Sequence, residues 1–235
     1  MSEHSKETPS DLNLKSFLRM VITRFTGLYI ALGLMFFVPA WTFKYWEAWV
    51  YMLILSVPMI FIVLYLYKYD RGLLERRMRM REKQKTQKVI QAVMWPFFLV
   101  AFIIPSFDSR FHWSNMPLAT IIISEVLVLL GYLFIGLVFK TNSYASRIVE
   151  VEKGQKVITT GPYAIVRHPM YLGVLFFYIF SPLALGSYWA VIPSLLIVPV
   201  LVVRIKGEER ELVENLEGYK KYLMKTKYRL VPGIW

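Results

Sequence analysis

The 235-residue chain contains no cysteine, which excludes disulfides, thiolate metal ligands, a cysteine nucleophile and S-palmitoylation. Histidine is almost as scarce: His4, His112 and His168 are the whole complement, too far apart in sequence to suggest a cluster, so no metal site is expected. Neither a Gly-x-Gly-x-x-Gly nor a Walker pattern occurs, so a nucleotide-derived cofactor would not be held by a Rossmann domain. There is no internal repeat and no low-complexity tract. Charged residues make up only 19% of the chain and are unbalanced, 28 basic against 16 acidic, for a net charge of +12. Such an excess can mark a nucleic-acid binder. Here the basic residues gather in segments between apolar blocks, as the positive-inside rule expects, and no nucleic-acid partner is expected. Chemistry is left to carboxylates, arginine, tyrosine, His168 or an organic cofactor.

What the chain has instead is apolar mass: 56% of its residues are hydrophobic and 16% aromatic, in long blocks that indicate a polytopic protein embedded in a lipid bilayer. Residues 1–24 read as a cytoplasmic tail, with a short surface helix over Leu12–Arg19. Residues 25–139 read as a four-helix membrane scaffold. Phe25–Phe43 is long enough to span, lacks a small-x-small cleavage site and is followed at once by a second block, so it is not a cleavable signal. Tyr45–Tyr67 is the second span, folded back against the first by the tight connection at Lys44. Lys68–Lys88 carries nine basic residues against Asp70, Glu75 and Glu82 and is expected on the cytoplasmic side. Val89–Pro105 and Leu118–Phe139 are the third and fourth spans, with Ser106–Pro117 outside. Glu125 is the one acid well inside a span: either a functional carboxylate or a protonated, hydrogen-bonded tie between helices.

Residues 140–235 differ in kind. Gly161-Pro-Tyr-Ala-Ile-Val-Arg-His-Pro-Met-Tyr-Leu-Gly173 crowds Arg, His, two Tyr, two Pro and two Gly into thirteen residues at the edge of an apolar span. Gly161-Pro162 signals a loop. Pro169 suits a first helical turn, where its missing N–H costs nothing, so a helix should begin near His168. The positive end of that helix, beside Arg167 and His168, could receive an anionic group. The plainer reading is that Arg167 anchors the helix at the headgroups and His168 only punctuates it.

Leu172–Val203 is 32 apolar residues broken at Leu185-Gly-Ser-Tyr188. As one helix it would measure about 48 Å, too long for a bilayer core of about 30 Å, so it reads as a tight hairpin of two short spans. The hairpin returns Arg204 to the face that carries Arg167 and His168. Beyond it, Leu212, Leu216, Tyr219 and Leu223 recur at helical spacing, with Glu208, Glu209 and Glu211 in the first turn of an amphipathic cytoplasmic helix. The expected architecture is thus an all-α bundle of about six transmembrane helices with both termini cytoplasmic. Residues 140–235 form its chemical segment.

From Lys153 onward, the thirteen-residue motif, the hairpin, Arg204-x-x-x-Glu208-Glu209-x-x-Leu212, Tyr219-x-x-Tyr222 and a late proline resemble the isoprenylcysteine carboxyl methyltransferase family and the related phospholipid methyltransferases. Leu216-Glu217-Gly218 departs from the family, which usually has an aromatic before that glycine. The resemblance implies an integral membrane enzyme that uses S-adenosylmethionine and takes a lipophilic substrate from the membrane. It implies cofactor contacts at Gln155, Lys156, Val157, Ile158, Tyr163, His168, Pro169, Met170, Tyr171 and Glu208, catalytic roles for Arg204 and Glu208, and a substrate-side role for Arg204. The charges suit that cofactor: Glu208 can pair with a cation, and His168 or a helix N-terminus can receive a carboxylate. Two alternatives stand beside it. Membrane NADPH-dependent sterol reductases share an Arg-His-x-x-Tyr stretch, but typically show Asn where Met170 stands and Arg-Asp-Glu where this chain has Gly207-Glu208-Glu209. A non-enzymatic membrane protein would leave the clustered Tyr, Arg and His unexplained. The methyl acceptor stays open among a prenylcysteine carboxylate, a phospholipid amine, a thiol and another lipid acid.

Overall fold

The computed structural model describes residues 14–78, 85–146, 148 and 150–235. The expectations for residues 1–13 of the tail and for 79–84 of the basic loop lie outside the described residues. Among the described residues nine α-helices follow in order: α1 (Leu14–Ala40), α2 (Trp46–Tyr69), α3 (Arg71–Met78), α4 (Lys85–Phe111), α5 (Leu118–Thr141), α6 (Pro169–Ala184), α7 (Val191–Leu195), α8 (Ile197–Asn215) and α9 (Tyr219–Lys225). A 3-10 turn covers Gly161–Ala164. No strand occurs among the described residues. Four stretches, Phe17–Ala40, Trp46–Tyr69, Gln87–Phe111 and Leu118–Thr141, are long and apolar enough to cross a membrane. Long apolar segments become helices because a bilayer offers backbone groups no water to pair with.

Three connections meet at one end of the bundle. The Tyr45 hydroxyl donates to the Leu185 carbonyl (2.5 Å). Buried Asp108 accepts from the Ser114 amide (2.7 Å), the Ser114 hydroxyl (2.6 Å) and the Ser187 hydroxyl (2.5 Å). The links between α1 and α2, between α4 and α5, and between α6 and α7 therefore share that end, and α3, the thirteen-residue motif and the C-terminal segment share the other. Between the ends, an apolar core packs Phe36, Tyr51, Phe102 and Val128 against Phe177. Gly131 of α5 faces Gly173 of α6 so closely that a Cβ on Gly173 would lie 2.6 Å from Ile135 Cγ1 and 2.9 Å from the Gly131 carbonyl oxygen. Small residues at that crossing let the two backbones approach.

Three local expectations change. The surface helix expected over Leu12–Arg19 is not separate, since α1 runs unbroken from Leu14. The basic loop contains a helix, α3, which seats buried Leu73 and Leu74 against Phe17, Leu66 and Phe139. The amphipathic helix expected to start after Arg204 does not start there: α8 continues from the hairpin to Asn215, so Glu208 and Glu209 lie in mid-helix, and Gly218 (φ 83°) breaks the chain before α9. Helix propagation is favourable once a turn exists, so nothing at the membrane edge stops α8. Glu125 is buried in the bundle interior, and neither of its carboxylate oxygens has a hydrogen-bond partner among the described residues.

Candidate functional site

Pro169 opens α6 at N1 with His168 as N-cap, the position expected from the sequence. The residues around it are held by the C-terminal segment rather than by solvent or headgroups. The Arg167 and His168 amides donate to the Tyr228 and Arg229 carbonyls, both at 2.9 Å. The Arg167 side chain is buried; its Nε donates to Glu209 Oε1 (2.6 Å) and its Nη1 to the carbonyls of Thr226 (2.9 Å) and Lys227 (2.8 Å). Arg229 Nε donates to Glu209 Oε2 (2.7 Å). Burial works against ionising Glu209, yet His168, Arg229 and Arg167 around it hold its carboxyl down to about 2. The two guanidiniums are the neighbours that donate well-directed hydrogen bonds to the carboxylate. His168 Nε2 lies 3.4 Å from Glu209 Oε1 but makes no well-directed hydrogen bond. Arg167 is therefore neither a headgroup anchor nor an open anion receptor. It is the buried pin that fastens the motif to α8 and the tail.

With the motif pinned, its polar side chains line a cavity of about 840 Å³ that opens on one side to solvent. Gln155, Lys156, Val157, Ile158, Tyr163, His168, Met170, Tyr171, Arg204 and Glu208 are all on its wall. Pro169 is buried and is not on the wall. Within the cavity Glu208 Oε2 accepts from the Tyr171 hydroxyl (2.6 Å), which accepts from Arg204 Nε (3.0 Å). Arg204 Nη1 in turn donates to Gln87 Oε1 (3.1 Å). Gln87 is buried in α4 and lies under Gly207, where a Cβ would come within 2.6 Å of its Nε2. A larger residue at 207 would require that amide to shift.

On the other side of the cavity the Tyr163 hydroxyl accepts from Asn142 Nδ2 (2.8 Å), and the Tyr222 hydroxyl donates to the Tyr163 carbonyl (2.7 Å). Burial pushes the Tyr163 phenol up and the Tyr222 phenol to about 12, so both stay neutral. His168 Nε2 and the Tyr219 hydroxyl are buried at this wall without a hydrogen-bond partner among the described residues. Sequence reasoning missed Asn142, Glu150, Glu211 and Tyr219 as wall residues. For Tyr219 the spacing Tyr219-x-x-Tyr222 was a usable signal; for Asn142 there was none.

A second cavity, with about 1130 Å³ of space, lies among α4, α5, α6 and α8. Met94, Trp95, Phe98, Ile135, Val174 and Leu201 make it chiefly apolar. The two cavities share three wall residues, Met170, Tyr171 and Arg204. A polar chamber and an apolar one thus meet at a partition built from the first turn of α6 and one arginine of α8.

Comparison with known proteins gives a family match and a likeness to solved structures. Residues 119–214 match the model of the isoprenylcysteine carboxyl methyltransferase family, the family that the motif resembles, and the match takes in α5, the motif, the hairpin and α8. A solved structure of a eukaryotic intramembrane Ras methyltransferase, isoprenylcysteine carboxyl methyltransferase, is 18% identical, with 94% of this chain and 87% of that chain covered and a TM-score of 0.47. No curated protein matches.

Proposed function

We propose that the chain is a multi-pass membrane methyltransferase that uses S-adenosylmethionine and methylates a lipophilic acceptor, a carboxylate of isoprenylcysteine type. The observation that carries this reading is the partition of Met170, Tyr171 and Arg204 between a water-facing polar cavity and an apolar one, together with the family match over residues 119–214. Two reactants of opposite solubility can meet there without either crossing the other's solvent.

The polar cavity fits the cofactor. Glu208, Glu150 and Glu211 put carboxylates on its wall, which suits a ligand with a sulfonium and an ammonium. The family match over residues 119–214 does not favour the reductase alternative. His168 Nε2 and the Tyr219 hydroxyl are buried polar atoms still to be matched by a ligand. On this reading Tyr163, Tyr171, His168, Met170 and the segment Gln155–Ile158 hold the cofactor, with Pro169 setting the helix start that aims them. Glu208 balances its positive charge.

S-adenosylmethionine, when bound, supplies a methyl group on a sulfonium that a nucleophile displaces in line. The residues of this chain then have to align and exclude water rather than move protons, because a carboxylate acceptor is already ionised. Arg204 orients the acceptor carboxylate, its own plane fixed by Tyr171 and Gln87. Tyr171 links Arg204 to Glu208 and keeps water out of the gap.

The topology we propose has six crossings. The 16 residues of α6 rise about 24 Å, and the hairpin turn shares an end with the other outer connections. The described parts of the basic segment, residues 68–78 and 85–88, lie at the motif end, which supports a cytoplasmic motif end with both termini on the same side.

The reading is tested by calorimetric titration of the detergent-purified protein with S-adenosylhomocysteine and NADPH, followed by transfer of a radiolabelled methyl group to N-acetyl-S-farnesylcysteine. Binding of the first ligand alone, with labelled product, is expected; binding of NADPH alone would overturn it. Arg204→Lys is expected to lose turnover while S-adenosylhomocysteine still binds, since lysine keeps the charge but not the planar fork. A wild-type rate for that variant would remove the orienting role.

A further inference from the structure

We infer that Gln91, on α4 and outside the family-matched region, reads an amide beside the acceptor carboxylate, so that the apolar cavity takes an N-acylated amino acid bearing a lipid chain in preference to a plain lipid acid. This rests on the methyltransferase reading and narrows its acceptor.

The polar side chains on the wall of that cavity are those of Arg77, Gln91, Tyr171, Tyr178 and Arg204. Three of them are engaged by the protein itself. Arg77 Nη1 donates to the Ser146 carbonyl (3.3 Å), and Tyr171 and Arg204 are tied to each other, to Glu208 and to Gln87. The side chains of Gln91 and Tyr178 make no hydrogen bond among the described residues. These two differ in depth. Helix α4 runs away from the motif end and α8 towards it, and Gln87 meets Arg204 and Gly207 where they pass. Gln91 follows one turn, about 6 Å, further along the same face of α4, level with the turn of α8 that carries Leu201. Tyr178 stands two turns beyond Tyr171 on α6, about 10.5 Å deeper, with its ring centroid 6.3 Å from that of Phe98. Gln91 is thus at the neck of the chamber, between the arginine that orients a carboxylate and the apolar wall of Met94, Trp95 and Leu201.

A side-chain amide in an apolar wall is costly without a partner, and the group that satisfies both its carbonyl and its NH2 is another amide. In an acylated amino acid that amide is attached to the carbon that bears the carboxylate, so a head held by Arg204 brings it to the neck. A plain lipid acid has only methylene there and would leave Gln91 unmatched. The ester carbonyls of a phospholipid accept but do not donate, and would satisfy half of it. A buried polar group left without its partner discriminates more strongly than one more or one fewer methylene on the tail. Arg204 therefore serves orientation at the reacting atom, and Gln91, from a separate helix, serves selection.

The test compares two acids with the same carboxylate, thioether and tail, N-acetyl-S-farnesylcysteine and 3-(farnesylthio)propionic acid, which lacks the acetamido group, binding to protein loaded with S-adenosylhomocysteine. The wild-type protein is expected to bind the first about ten-fold more tightly. In Gln91→Met, which keeps the length of the side chain and removes its amide, that ratio is expected to fall to about one through weaker binding of the first acid alone, with S-adenosylhomocysteine affinity preserved. A merely structural glutamine would weaken both acids together. An unchanged ratio in Gln91→Met, an equal loss for both acids, or equal binding of the two by the wild-type protein overturns the inference and leaves the methyltransferase reading standing. No binding of either acid to the wild-type protein would overturn both. Should Gln91→Met not fold, the wild-type protein is titrated with the ester analogue of N-acetyl-S-farnesylcysteine, in which oxygen replaces the amide N–H. Its affinity is expected to be about ten-fold lower than that of the amide, and equal affinity overturns the inference.

Discussion

Residues 14–141 and residues 142–235 are held together by different forces. In the first, the buried contacts are those of Phe36, Tyr51, Phe102 and their neighbours, while side chains such as Ile22, Leu34 and Phe61 face outward. In the second, one buried carboxylate, Glu209, gathers Arg167 of the motif and Arg229 of the tail. Apolar packing tolerates many side chains of about the right volume. A buried charge cluster tolerates almost none, because removing one member leaves its partners uncompensated. That difference explains why the recognisable motifs fall in the second region.

The comparison breaks most sharply at Glu209. Glu209→Gln leaves the buried Arg167 guanidinium, and the part-exposed one of Arg229, without their anion and is expected to destabilise the C-terminal segment by about 3–5 kcal/mol. The scaffold helices should persist in circular dichroism while S-adenosylhomocysteine binding disappears. Acid should do the same gradually. A carboxyl lowered from 4.5 to about 2 contributes stability that is complete above pH 4.5 and is lost as pH falls through 2. Hydrogen-exchange protection of the Arg167 and His168 amides is expected to hold down to about pH 5 and decline below it, and a flat profile would contradict the cluster's role.

Glu208, one residue away, should behave otherwise. It is part-exposed on the cavity wall, so Glu208→Gln is expected to leave the fold intact and weaken S-adenosylhomocysteine binding ten- to a hundred-fold, about 1.5–3 kcal/mol. A pair of adjacent glutamates would then separate into a binding group and a structural one. In the scaffold, Gly173→Ala forces a methyl group to within 2.9 Å of a backbone oxygen and is expected to cost about 1–3 kcal/mol in thermal unfolding. It should widen the α5–α6 crossing without abolishing cofactor binding.

Much of this was legible from residue order. The helix start at Pro169, the hairpin break after Ala184 and the four apolar spans are local signals, set by proline, glycine and uninterrupted hydrophobicity, and they fall near where expected, except that the first span starts at Phe17 rather than Phe25 and ends at Ala40 rather than Phe43. Ten of the eleven expected site residues lie on the wall of one cavity. What the sequence concealed is non-local. Arg167 finds Glu209 at a distance of 42 residues and Thr226 at 59, and no periodicity announces such a pairing. Glu208 and Glu209 look like an acidic helix start, because their sequence does not show that the preceding apolar turn belongs to the same helix. Gln87 sits in a polar helix end like any other until Gly207 is seen above it.

The partition of Met170, Tyr171 and Arg204 also has a kinetic consequence. Under the proposed function, one reactant would reach its chamber from water and the other from the bilayer, so neither would have to wait for the other to enter. S-adenosylhomocysteine should then compete with the methyl donor alone. Raising the amount of acceptor in the membrane should leave that inhibition unrelieved.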